Sequence, residues 1–306
     1  MFPLYLDHAE FAGGKVLGVP LYLDNDNDEW KFDAVLLRAA LSKPTSKVFI
    51  INSPHNPTGK IFTREEMQQI SDILDDCPHV LTLSDEVYDF LTFDGNEHIH
   101  FASVGNNWNR TISIFSAGKL MNATGWKVGW TIGPEKLVYH GGIIANTVFY
   151  CFNVPGQVAF ANSLDKIILP NYNEAGETFL QSTVSLFKEN RDLITQAFNE
   201  MAMPWKPVYC PGGYFLMADI TACRDLIPAK YLATHECEED DGRAPVRKYK
   251  LNMPDGKIPL DLAFCRWLAI EKGVTLMPNS FFYDKDSPTI TETYVRLAIC
   301  KDRAST

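Results

Sequence analysis

Ser113-Ile-Phe-Ser-Ala-Gly-Lys-Leu-Met-Asn-Ala-Thr-Gly-Trp-Lys-Val-Gly-Trp130 starts as a strand and changes character within a few residues. Thr111 to Phe115 is an apolar run of strand type, and small and polar residues follow at once. Lys119 falls just past the strand end, in the small-residue turn. Eight positions on, Lys127 stands between Trp126 and Val128, bracketed by Gly125 and Gly129. A lysine framed by Ser116, Gly118, Thr124, Gly125 and a second lysine makes a seat for a phosphorylated carbonyl compound. One amine would form a Schiff base while the hydroxyls and the other ammonium hold the phosphate.

Reading outward, Lys47 to Asn52 is a continuous apolar run, as expected of a buried parallel strand. It empties into Ser53-Pro54-His55-Asn56-Pro57-Thr58-Gly59-Lys60, a rigid turn that aims a short polar side chain from a strand end. Thr63 with Glu66 forms a capping box for a helix whose inner face is Met67, Ile70 and Leu74. Val80 to Leu83 is a further strand, running into Ser84-Asp85-Glu86-Val87-Tyr88, and Val128 to Ile132 another. Nearer the start, Val16 to Leu23 reads as a strand, Asp24 to Glu29 as a polar loop and Phe32 to Leu41 as a helix. Apolar strands alternating with helices predict an α/β fold with a mostly parallel sheet. Ligands of such sheets collect at the carboxyl ends of strands, and Asn56, Asp85 and Lys119 each follow a strand there.

Beyond about Phe160 the pattern changes. Leu180, Val184, Phe187, Ile194, Phe198 and Met201 recur with helical spacing, Asp261 to Lys272 reads as a helix, and Gly213 to Ile220 and Tyr294 to Ile299 read as strands. The expected division is a large domain at 1–160 and a smaller α+β domain at 161–306, with an aperiodic acidic loop inserted at 233–257.

The net charge of −10 over 306 residues argues against a nucleic-acid binder. No run approaches the ~18 apolar residues of a membrane span, and Met1 opens no signal-peptide pattern. Seven cysteines without Cys-x-x-Cys spacing fit a reducing compartment, the cytoplasm first and the mitochondrion second. His98 and His100 share one face of an extended segment, but no third ligand is near them in sequence, so no metal is expected.

Ser-Ala-Gly-Lys at 116–119, followed by Ala-Thr-Gly-Trp-Lys-Val-Gly-Trp at 123–130, resembles the cofactor-lysine segment of class I pyridoxal-phosphate aminotransferases. Within that superfamily it is most similar to the kynurenine aminotransferase group, also called glutamine transaminase K or cysteine-S-conjugate beta-lyase. The resemblance implies a fold type I enzyme, a homodimer, with pyridoxal 5′-phosphate on Lys119. By the same resemblance Asp85 is the anion at the pyridine nitrogen, and Tyr88 and Asn56 hydrogen-bond the phenolic oxygen. Ser116 and Lys127 match phosphate ligands, and Arg296 in Tyr-Val-Arg-Leu-Ala-Ile matches the arginine that grips the substrate carboxylate. The implied substrates are an aromatic or glutamine-like amino acid and a 2-oxo acid, with beta-elimination as a side reaction. Phe149-Tyr150 and Phe281-Phe282-Tyr283 are the aromatic segments expected near the pocket.

The family is longer at both ends. Its N-terminal arm and phosphate-binding turn are expected before Met1, its stacking aromatic near Phe2, and its last helix after Thr306. Two readings stand: an aminotransferase, or a truncated, impaired chain that acts only as a binding partner.

Overall fold

In a computed structural model the chain is described at residues 2–24, 26, 28–233, 258–283, 287 and 289–302. The loop expected at 233–257 lies, beyond its first residue, outside the described residues. Helix α1 (Leu4–Phe11) leads to a hairpin of β1 (Leu21–Asp24) and β2 (Glu29–Phe32). Only the end of the expected 16–23 strand is therefore strand, and the polar loop expected at 24–29 starts on the last residue of β1 and ends on the first of β2. Pairing with Leu21–Asp24 draws Trp30 and Phe32 into extended backbone. Asp33 then caps α2 (Ala34–Leu41), accepting the N–H groups of Val35 and Leu36.

Strand β3 (Val48–Asn52), helix α3 (Arg64–Asp75), β4 (Leu81–Asp85) and β5 (Thr111–Ser116) form the expected alternation. The Thr63–Glu66 capping box is present, and Met67, Ile70 and Leu74 are buried on the inner face of α3. After β5 come the short helix α4 (Ala117–Leu120), β6 (Gly129–Ile132), α5 (Glu135–Phe149) and α6 (Val154–Ser163). The sheet order is β3-β4-β5-β6, with β3, β4 and β5 parallel and β6 antiparallel to β5. The connection through α4 is too short to carry the chain back for a parallel crossover, so β6 returns as a hairpin partner. Leu37, Ile51, Phe62, Met67, Ile70, Leu74, Val80 and Phe101 fill the core between this sheet and α2–α3.

The long helix α7 (Phe179–Glu200) starts on a second capping box, Thr178 with Gln181. It is followed by β7 (Lys206–Pro207), β8 (Phe215–Asp219), α8 (Ala229–Leu232), α9 (Leu260–Trp267), β9 (Met277–Pro278) and β10 (Tyr294–Ala298). The second sheet, β7-β8-β10-β9, is antiparallel throughout. Its core draws Tyr88, Leu91 and Phe93, from the segment after β4, together with Phe187, Leu216, Phe264 and Val295. Arg191 of α7 holds Asp94 of that segment through two hydrogen bonds of 2.5 and 3.1 Å. The segment that leaves Asp85 is thus anchored in the second sheet's core.

Candidate active site

Ser116 ends β5 and caps α4: its Oγ accepts the Lys119 N–H at 3.3 Å. The helix fits because Gly118 carries no Cβ, which would lie 2.9 Å from Thr124 Cα and 3.1 Å from Ala123 O. The Ala123 N–H reaches Gly118 O at 2.8 Å, and the turn closes with Lys127 in the left-handed region at φ 55°. Lys119 is half-buried, its ammonium 5.4 Å from the Tyr88 ring centroid and 5.2 Å from that of Tyr214. The Tyr214 hydroxyl donates to Lys119 O, fixing the lysine's backbone from the second sheet's side. Burial lowers the Lys119 pKa, and the nearby cations Lys127 and Arg296 push it further down against Cys300 and Asp85.

Asp85 closes β4. One of its oxygens accepts the hydroxyl of Tyr5 from α1, and Oδ1 accepts the Val87 N–H at 3.3 Å. Burial raises its pKa against both hydrogen bonds and the pull of Lys119. Its carbonyl accepts Asn52 Nδ2 at 2.9 Å, and Asn52 Oδ1 takes the Asn56 N–H at 2.7 Å, so β3 and β4 position Asn56 together. Asn56 is buried, and its Oδ1 accepts Arg296 Nη1 at 2.8 Å. Tyr88 is also buried, its ring 4.9 Å from that of Tyr214. Burial, helped by the Asp85 charge, raises its pKa.

Arg296 comes from β10, its guanidinium 3.7 Å above the Phe215 ring and 5.0 Å from that of Phe282. Among the described residues it forms no ion pair with a carboxylate. Burial lowers its pKa to about 10.

All seven residues singled out in the sequence thus belong to one cluster. Lys127 is its outermost member, exposed but near enough to act on Lys119. Sequence reasoning missed Tyr5, Asn52 and Tyr214, which reach the site by tertiary contacts that no local pattern signals. Phe282 is buried beside Arg296 as expected, whereas Phe149 and Tyr150 are exposed at the end of α5. Glu86, next to Asp85, is buried.

The model of class I and II aminotransferases matches residues 1–303. The chain belongs to this family. A kynurenine–oxoglutarate transaminase of Dictyostelium discoideum is 36% identical over 278 residues, which are 89% of this chain and 57% of that protein. Kynurenine–oxoglutarate transaminase 1 of Mus musculus is 30% identical over 312 residues, 99% of this chain and 67% of that protein. Among solved structures, Bna3p of Saccharomyces cerevisiae superposes with a TM-score of 0.81 at 28% identity, covering 99% of this chain and 66% of the other. The chain therefore spans little more than half of the first relative and about two thirds of the others. The fold type I assignment follows from these likenesses, and the family's cofactor is pyridoxal 5′-phosphate. The residues fit that group: a half-buried amine with lowered pKa beside two tyrosine rings, a carboxylate and an ammonium near enough to act on that amine, and a hydroxyl that caps the lysine's backbone N–H.

Proposed function

We propose that this chain carries the catalytic site of an aminotransferase that moves an amino group from kynurenine, glutamine or a related aromatic amino acid to a 2-oxo acid. The observation that carries the reading is Arg296, a half-buried guanidinium that faces Asn56 and two aromatic rings without a carboxylate partner among the described residues. Leaving a partly buried cation unpaired is costly, and a substrate carboxylate would supply the anion.

When bound, pyridoxal 5′-phosphate supplies a carbonyl for the substrate amine and an electron sink for the carbanion. Lys119 supplies the amine that holds the carbonyl carbon and, once released, the base that takes the proton from the substrate Cα. Its lowered pKa supports both roles, because more of it is free amine than in an ordinary lysine. Asp85 would hold a proton at the ring nitrogen, its carboxylate positioned by the Tyr5 hydroxyl and the Val87 N–H. Tyr88 and Asn56 would donate to the phenolic oxygen, while Ser116 and Lys127 hold the phosphate. Arg296 orients the carboxylate so that the Cα–H faces Lys119. Beta-elimination from cysteine S-conjugates uses the same proton transfer and is proposed as a side activity.

The intact set of side chains favours this reading over an inactive binding fragment. Exposed Tyr139, Ile143, Ile144 and Val148 on α5, with Phe152, Val154 and Val158 beside them, support a homodimer through that face. The six described cysteines are unpaired, which supports a reducing compartment such as the cytoplasm. No described helix is long and apolar enough to cross a membrane. The sheets support a division near residue 160 into the two expected domains. The test is amino transfer from kynurenine to 2-oxoglutarate, followed as glutamate formed, with added cofactor. Glutamate formation that is lost in Lys119→Ala bears the proposal out, and an active Lys119→Ala protein overturns it.

A further inference from the structure

One residue beyond Asp85, the fold gathers a second group of side chains that amino transfer does not use. Glu86 is buried at the end of β4, with Oε2 2.8 Å from His98 Nε2 and also in contact with His100 Nδ1. The three ligand atoms lie within 4.8 Å of one another. Ser113 Oγ, from the neighbouring strand β5, donates to Glu86 Oε1 at 2.8 Å and fixes the carboxylate's orientation. The two imidazoles stand edge to face, 4.8 Å between centroids. Sequence spacing offered only the two histidines; the turn between Glu86 and His98 supplies the third donor.

We propose that Glu86, His98 and His100 form a binding site for a divalent transition-metal ion of the zinc class. Two imidazoles and one carboxylate are a donor set for zinc, cobalt and nickel rather than for calcium or magnesium, which take oxygen ligands throughout. Bonds of about 2.0–2.2 Å place such donors roughly 3–3.5 Å apart, so around an ion the carboxylate must draw back from the imidazoles while the two ring nitrogens, at most 4.8 Å apart, adjust to it. The structure allows this on one side. The His98 side chain is 5% exposed and the Glu86 side chain 1%, whereas that of His100 is 54% exposed and free to swing outward. The open side leaves room for water in the remaining coordination positions. Ser113 plays the orienting part that outer partners play at metal sites. His98 Nδ1 is buried without a hydrogen-bond partner among the described residues, so the hydrogen bonds of the cluster leave this imidazole half satisfied. An ion here would clamp the 86–100 segment to the sheet one residue from Asp85.

The test is titration of the full 306-residue chain with Co²⁺, read by visible d–d absorption, and with Zn²⁺ in competition against a chromophoric chelator. The variant is His100→Ala, whose side chain is partly solvated and whose loss the fold tolerates; thermal unfolding without metal checks this. The expected result is one Co²⁺ per chain with a band of low-coordinate type, and affinity at least about tenfold lower in His100→Ala. Metal should also raise the melting temperature of the wild type more than that of the variant. Ser113→Ala, which keeps all three donors, should weaken binding less than His100→Ala. Absence of a cobalt band, or equal affinity of wild type and His100→Ala, would overturn the proposal and leave the cluster as a hydrogen-bonded triad.

Discussion

Gly118 and Gly125 stand seven residues apart in one motif, and the structure gives them opposite tolerance for a methyl group. A Cβ on Gly118 would meet Thr124 Cα at 2.9 Å and Ala123 O at 3.1 Å, both backbone atoms that no rotamer change can move. Carbon atoms rest at about 3.5–4.0 Å, so the turn carrying Thr124 must retreat by roughly 0.6 Å or more. Overpacking of this kind costs about 1–3 kcal/mol, and the better helix propensity of alanine returns up to about 1. Gly118→Ala is therefore expected to lose about 1–2 kcal/mol net, and to shift Lys119 against Tyr88 and Tyr214. A Cβ on Gly125 has nothing within 4 Å, so Gly125→Ala should be neutral or stabilising by up to about 1 kcal/mol. Thermal unfolding of the two variants beside the wild type reads the difference. At about 2–4 °C per kcal/mol, Gly118→Ala should melt roughly 2–8 °C lower and Gly125→Ala no lower. A Gly118→Ala protein as stable as Gly125→Ala would refute the close approach of α4 to the Thr124 turn.

Arg296→Lys keeps the charge but loses the planar fork and its stacking on Phe215; binding of a dicarboxylate ligand, measured by calorimetry, should weaken about 10–100-fold. Because burial and nearby cations lower the Lys119 pKa, the amine loses its proton at a lower pH than an ordinary lysine. Covalent capture of pyridoxal phosphate should therefore rise with pH and level off below the ordinary lysine range. In Lys127→Ala the midpoint should move upward, because removing a neighbouring cation favours the protonated form. An unchanged midpoint would show that Lys127 does not act on Lys119. Asp94→Ala strips a charged partner from Arg191, itself 7% exposed, and should cost about 2–4 kcal/mol in denaturant unfolding. A loss below about 0.5 kcal/mol would show that the pair does not hold the segment after β4.

The parallel strands were legible because each is a short apolar run that ends in polar residues, and helix α3 because its capping box stands beside a clean apolar face. Of the seven candidate site residues, Asn56, Asp85 and Lys119 could be grouped from the sequence because each follows a strand at its carboxyl end, whereas Arg296 lies within β10 and was singled out by resemblance. The β1–β2 hairpin was missed because its turn is acidic and its strands are only four residues each. Tyr5 on Asp85 and Tyr214 on Lys119 O are contacts across 80 and 95 residues. No local periodicity encodes them. Glu86 drew no role from the sequence, because its burial depends on the return of His98 and His100 to its carboxylate.

The measurement closest to the central claim is reduction with borohydride after incubation with pyridoxal phosphate, followed by mass-spectrometric mapping of the digested chain. The result expected is one phosphopyridoxyl group, on Lys119, and none on Lys127. A chain that captures nothing, or captures it on exposed lysines in proportion to their number, would contradict the assignment of Lys119 as the cofactor lysine.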